Sequence, residues 1–101
     1  MLQIESGIGI GSIAAESVKI VHASGREVSL SGWTLVDGQG TPYNFPQLSM
    51  RQGSVVYVHT RSGINTVTDL YWGLSAAVWQ SGETATIKDE TGQEIDRFEI
   101  P

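Results

Sequence analysis

An all-β fold, two antiparallel sheets packed face to face, is what this 101-residue sequence predicts. Three observations carry that prediction. Apolar residues recur at every second position in short runs, the period of a half-buried strand. Turn-forming clusters punctuate those runs every 8–12 residues or so, the spacing of a sandwich. No stretch carries the helical spacing of apolar residues over even about ten positions. Twelve glycines against two methionines point the same way, towards strands and tight turns. Some seven to nine short strands of this kind make an immunoglobulin-like sandwich.

Leu2–Glu5 begins strand-like. In Glu16–His22, Val18 and Ile20 share one face, with Ser17 and Lys19 on the other. Ser24-Gly25 turns the chain into Val28–Asp37, where Trp33 and Leu35 share a face. Leu30 is out of phase with them, which puts a bulge at Gly32. Asp37-Gly38-Gln39-Gly40 is a turn, and Pro42–Pro46 is a short extended piece. Gln52-Gly53 turns into Ser54–Thr60, apolar on both faces and therefore expected at the centre of a sheet. Arg61–Thr66 reads as a polar loop, Asp69–Trp72 as a short strand and Ser75–Trp79 as one helical turn. Glu83–Lys88 points Ala85 and Ile87 inward. Asp89-Glu90-Thr91-Gly92 is a hairpin turn with Gly92 free to take positive φ, and Glu94–Ile100 closes the chain with Phe98 and Ile100 on one face. The pairing reads antiparallel throughout.

Forty per cent hydrophobic and 17% charged residues are enough for one folded core and exclude a disordered chain. Residues 1–101 read as a single domain, excised from a larger protein. The net charge of −5, with Glu83, Asp89, Glu90, Glu94, Asp96 and Glu99 crowded after residue 82, repels phosphate backbones and anionic lipid. Nucleic acid is thus a poor partner. With no cysteine there is neither a disulfide framework nor a thiolate metal site. No apolar run approaches the ~20 residues of a membrane-spanning helix, and no basic segment precedes an apolar one as in an export signal.

Gly9-x-Gly11-x-x-Ala14 has the spacing of a dinucleotide-binding turn. That turn works only where it opens a helix whose N-terminal amides meet a pyrophosphate, and Ser12–Ala15 leaves no room for a helix before the strand at Glu16. The segment is read as a glycine-rich crossing between the first two strands, with no cofactor. His22 and His59 are the only histidines, each at a strand end and read as surface residues; nothing in their spacing makes a metal site. Asp37–Gly40 lacks the alternating acids of a calcium loop and reads as a turn. No serine lies in a nucleophile elbow or beside a recognisable base, and no carboxylate pair is placed in an evident groove. No catalytic residue emerges.

The aromatic side chains are more than filling needs. Trp33, Phe45 and Phe98 are assigned to the core. Tyr71 and Trp72 are adjacent in a strand, so they face opposite ways, and a ring left near solvent could stack on a sugar or anchor a partner. The competing reading lays residues 61–81 over the end of the sandwich with these rings as its plug.

Taken in order, "LSGWTLVD", "YNFP", "TDLYWG" and "SGETATIKDETGQEI" resemble the lamin tail domain family from about Glu16 to Phe98. Leu30, Gly32, Trp33 and Leu35 match its signature strand. Phe45, then Gly53, match its next landmarks, and Gly92 its last hairpin. The resemblance implies an immunoglobulin-like sandwich without enzymatic activity. It is similar both to the tails of nuclear filament proteins, which contact proteins and chromatin, and to prokaryotic modules of exported or surface proteins. The acidic charge and the absence of a heptad rod favour the prokaryotic kind, hence an extracellular or cell-surface setting. The expected role is interaction or tethering, to a protein or other polymer, by loops or by strand addition. Tyr71, Trp72 and Trp79, with Arg61 and Asn65, are the candidate contacts. The alternative is a carbohydrate-binding module using Tyr71, Trp72 and Trp79.

Overall fold

The computed structural model describes residues 2–101 and contains ten strands. They are β1 (Leu2–Ile8), β2 (Ser17–His22), β3 (Val28–Ser29), β4 (Thr34–Val36), β5 (Pro42–Asn44), β6 (Ser49–Met50), β7 (Val55–His59), β8 (Asp69–Tyr71), β9 (Thr84–Lys88) and β10 (Glu94–Glu99). Two four-stranded sheets, ordered β1-β2-β7-β8 and β10-β9-β4-β5, form the layers, and β3-β6 is a small separate ribbon.

The period-2 pattern decides which residues lie between the layers. Val18 and Ile20 from β2, Val56 and Val58 from β7, Leu35 from β4, and Ala85 and Ile87 from β9 are all buried. Trp33 and Phe45 join them, while Phe98 packs only partly against this core. Ser54–Thr60 is central as expected, with β7 between β2 and β8. Its outer face, Val55 and Tyr57, stays half-exposed.

Four local expectations are corrected. Gly32 is not a bulge: the Trp33 amide donates to the Leu30 carbonyl at 2.9 Å and Gly32 has φ 84°, a turn that splits Val28–Asp37 into β3 and β4. Leu30 is out of phase with Trp33 because that turn restarts the alternation. Second, β8 runs parallel to β7 (Tyr57↔Asp69, Val58↔Leu70, His59↔Tyr71), so the pairing is not antiparallel throughout. Alternation carries no strand direction. Third, Ser75–Trp79 makes no helical turn, because the Val78 and Trp79 amides are drawn instead to a carboxylate of another element. Fourth, His22 is buried rather than at the surface, with its Nε2 against the Arg26 carbonyl.

The carboxylate is that of Glu16, only 1% exposed. Its Oε1 accepts from Thr60 Oγ1 at 2.6 Å and from the amides of Val78 (2.9 Å) and Trp79 (3.3 Å), and its Oε2 accepts from the Gly11 amide at 3.0 Å. A buried charge with both oxygens occupied is tolerable. Glu16 thereby ties the glycine-rich crossing, the end of β7 and the 78–79 segment together. The Gly11 amide, which in a dinucleotide turn would face a phosphate, here meets this carboxylate.

The two open sides of the sandwich are closed differently. On one, β1 lies along β10 and the Ile4 amide donates to Asp96 Oδ2 at 2.8 Å. On the other, aromatic rings meet edge to face: Tyr43 with Phe45 (5.1 Å between centroids), Tyr43 with Trp72 (5.7 Å) and Trp72 with Trp79 (6.0 Å).

Candidate functional site

The sequence-predicted contacts separate into two groups. Trp79 is 1% exposed and Trp72 packs on it and on Tyr43, so both rings belong to the plug on the β5–β8 side. Tyr71, one residue before Trp72, points the other way and gathers Arg61 and Asn65 around it.

The crossover that returns the chain from β7 to β8 is folded back onto β8. Asn65 Oδ1 accepts from the Tyr71 amide at 2.9 Å. The Thr66 amide donates to the Asp69 carbonyl at 2.8 Å, and the Asp69 amide donates to Thr66 Oγ1 at 3.0 Å. These bonds satisfy the outward backbone groups of an edge strand, which would otherwise be open to another chain. Gly63 lies so near the Tyr71 ring that a Cβ there would sit 2.5 Å from Cδ1, which explains why no side chain stands at that position.

Tyr71 itself is enclosed by charge and ring. His59 stacks on it at 4.7 Å with planes 16° apart, and the Arg61 guanidinium lies 5.1 Å from its centroid. His59 Nε2 is 2.8 Å from Asp69 Oδ1; the carboxylate only accepts, so this nitrogen carries the proton. That bond, then one from the Thr68 hydroxyl, hold the Asp69 carboxyl below its ordinary range. His22 ends β2, whereas His59 ends β7 beside Ser17 at the opposite end of β2, so they stand about 17 Å apart at 3.4 Å per residue.

The loop held by these bonds displays two aliphatic side chains. Ile64 is 87% and Val67 75% exposed, the largest exposures of any big apolar residue among the described residues. Sequence reasoning passed over both. The signal was present in the contrast: two large apolar residues in a stretch otherwise read as polar loop, with no alternation to place them inside.

Two layers of four strands, an aromatic plug and a chemistry-poor surface define an immunoglobulin-like β-sandwich. The chain belongs to the lamin tail domain family, whose model matches residues 4–101. The family is one of non-catalytic domains. A search of curated proteins finds no match. The residues that carried the resemblance occupy structural posts: Leu30, Trp33, Leu35 and Phe45 are buried, while Gly53 and Gly92 take φ of 90° and 85° in turns.

Proposed function

We propose that this domain is a docking module within a longer, exported polypeptide, and that the 61–68 loop is the surface with which it holds a protein partner. The observation that carries the reading is the pairing of exposed apolar side chains with a hydrogen-bonded loop backbone. Ile64 and Val67 stand in solvent on a backbone fixed by Asn65, Thr66 and the Tyr71 ring, so docking them costs little ordering entropy. Arg61 beside them supplies a cation of the type enriched at interfaces. The acidic net charge of −5, a poor match to a chromatin-contacting tail, supports the exported setting.

Loop contact is better supported than strand addition, because the β8 edge is already bonded by the loop and β5 is short and begins with Pro42. The glycan alternative has less support. Trp79 is buried, Trp72 is in the plug, and the Tyr71 ring is already covered by His59, Arg61 and Gly63.

A photo-cross-linking residue placed at Ile64 in the parent polypeptide, in its native host, tests this. The expected result is one discrete protein adduct that V67D abolishes and that the same label at Glu99 does not give. Diffuse labelling, or equal labelling from Glu99, overturns it. Tryptophan fluorescence should stay flat across a panel of cell-wall glycans; saturable quenching would return the carbohydrate reading.

A further inference from the structure

β1 and β10, the first and last strands among the described residues, lie side by side. β1 is outermost in one sheet and β10 outermost in the other. Two contacts give their relative direction. The Ile4 amide donates to Asp96 Oδ2 at 2.8 Å, and a Cβ on Gly7 would stand 3.1 Å from Ile100 Cδ1. Moving forward from Ile4 to Gly7 thus matches moving forward from Asp96 to Ile100, so the two strands run in parallel. Ile100 lies level with Gly7 rather than with Leu2. The two ends of the domain are therefore offset by about 17 Å along the strand axis, at 3.4 Å per residue.

That offset decides how tension acts. A pull on the two ends drags β1 towards Leu2 and β10 towards Ile100, each along its own length. Strand hydrogen bonds lie across that direction, so the β1–β2 ladder, from Leu2↔His22 to Ile8↔Ser17, resists at all its positions together. The β10–β9 ladder, from Glu94↔Lys88 to Glu99↔Thr84, is strained in the same sense. Slippage is opposed as well. β1 carries a bulge between Ile4 and Ser6, and β10 one between Glu94 and Asp96, and bulges pin register. Leu2, Ile4 and Ile100 are buried, and a slip of one residue would turn Leu2 and Ile4 out of the core. The Asp96 carboxylate, beside both bulges, ties one strand to the other. The 61–68 loop stands outside this path, against β8 at the opposite edge of its sheet from β1.

We propose that β1 and β10 form a tension clamp, through which the domain transmits force along its parent chain while the loop holds a partner. That role presupposes the longer polypeptide of the docking reading, whereas the clamp itself is a property of these two strands.

Single-molecule pulling tests it, and a chain without cysteine makes any introduced thiol a unique handle. The chain held by its N- and C-termini is compared with the chain held by its N-terminus and S24C, in the exposed turn after β2. The second geometry peels β1 from β2 one pair at a time, starting at Leu2↔His22. At equal loading rate, rupture through the two termini should need at least about twofold more force than peeling. D96A should lower the terminal rupture force while retaining the β-type circular dichroism spectrum, and E99A should leave it unchanged. Equal forces in the two geometries overturn the clamp, as does a terminal force that D96A does not lower. A strong clamp without a protein adduct at Ile64 would uphold this role and remove the docking one; a weak clamp beside a discrete adduct would do the reverse.

Discussion

Asp37 and Asp89 open two hairpins that are locally the same. In each, the amide of a glycine three residues on (Gly40, Gly92) donates to the aspartate carbonyl, and that glycine has φ near 86°. In each, the aspartate amide donates to the carbonyl four residues on, and its Oδ1 gathers two later amides. The surroundings differ. The β9–β10 turn stands in solvent, where Asp89 adds a 2.7 Å bond from the Thr91 hydroxyl. The β4–β5 turn lies under Glu83, which takes the room a side chain at position 38 would need and leaves Asp37 buried. Local sequence sets a turn; what packs on it decides whether its aspartate stands near solvent or is buried within reach of a second carboxylate.

The largest expected difference is at the second turn position. G38A drives a Cβ to 2.6 Å from Glu83 Cγ and should destabilise by about 2 kcal/mol. Its counterpart E90A should change stability by less than about 0.5 kcal/mol. Urea midpoints of the two variants compare them directly, and equal losses would mean that Glu83 does not shape this hairpin.

G40A and G92A come next. Neither added Cβ meets an atom within 4 Å, so both report backbone strain alone and should lose a similar ~1–2 kcal/mol. A large disparity between them would show that the turns are not equivalent.

Smaller still is the effect of neutralising each aspartate at pH 7. An amide at position 37 can donate to Glu83 Oε1 while its oxygen keeps the turn, so D37N should gain up to roughly 1 kcal/mol. D89N has no buried partner to relieve and should show no gain.

The smallest concerns acid. The Thr91 hydroxyl above all, then the turn amides, hold the Asp89 carboxyl below its ordinary 3.8. The folded state therefore binds fewer protons than the unfolded one around that pH. The contribution is fully present above 3.8 and is lost as pH falls through the lower folded value. D89N should flatten the acid limb of stability below pH 3.8, which midpoints measured on the acid side will register.

How much of this was legible follows from the range of each signal. The Asp89-Glu90-Thr91-Gly92 turn was readable because its determinants lie within a few residues. So were the buried faces of β2 and β9, which alternation fixes by itself. The parallel pairing of β8 was not, since period 2 has no sense of direction. Glu16 was opaque for another reason. Its partners Thr60, Val78 and Trp79 are brought to it only by the finished fold. Of the proposed contacts, Tyr71, Arg61 and Asn65 assemble because a loop folds back on its own strand, whereas Trp72, just past β8, and Trp79 turn inward into the aromatic plug. Glu83 and Asp37 are far apart in sequence, and nothing local announced their meeting.

The way Asn65 and Thr66 occupy the rim of β8 has a consequence for crowding. A domain displayed at high density, or repeated along one polypeptide, risks zipping onto its copies through exposed strand rims. Here that rim is already paired by the chain's own loop, and the opposite side is fastened by Asp96 to the Ile4 amide. Both arrangements work against edge-to-edge pairing between neighbouring copies.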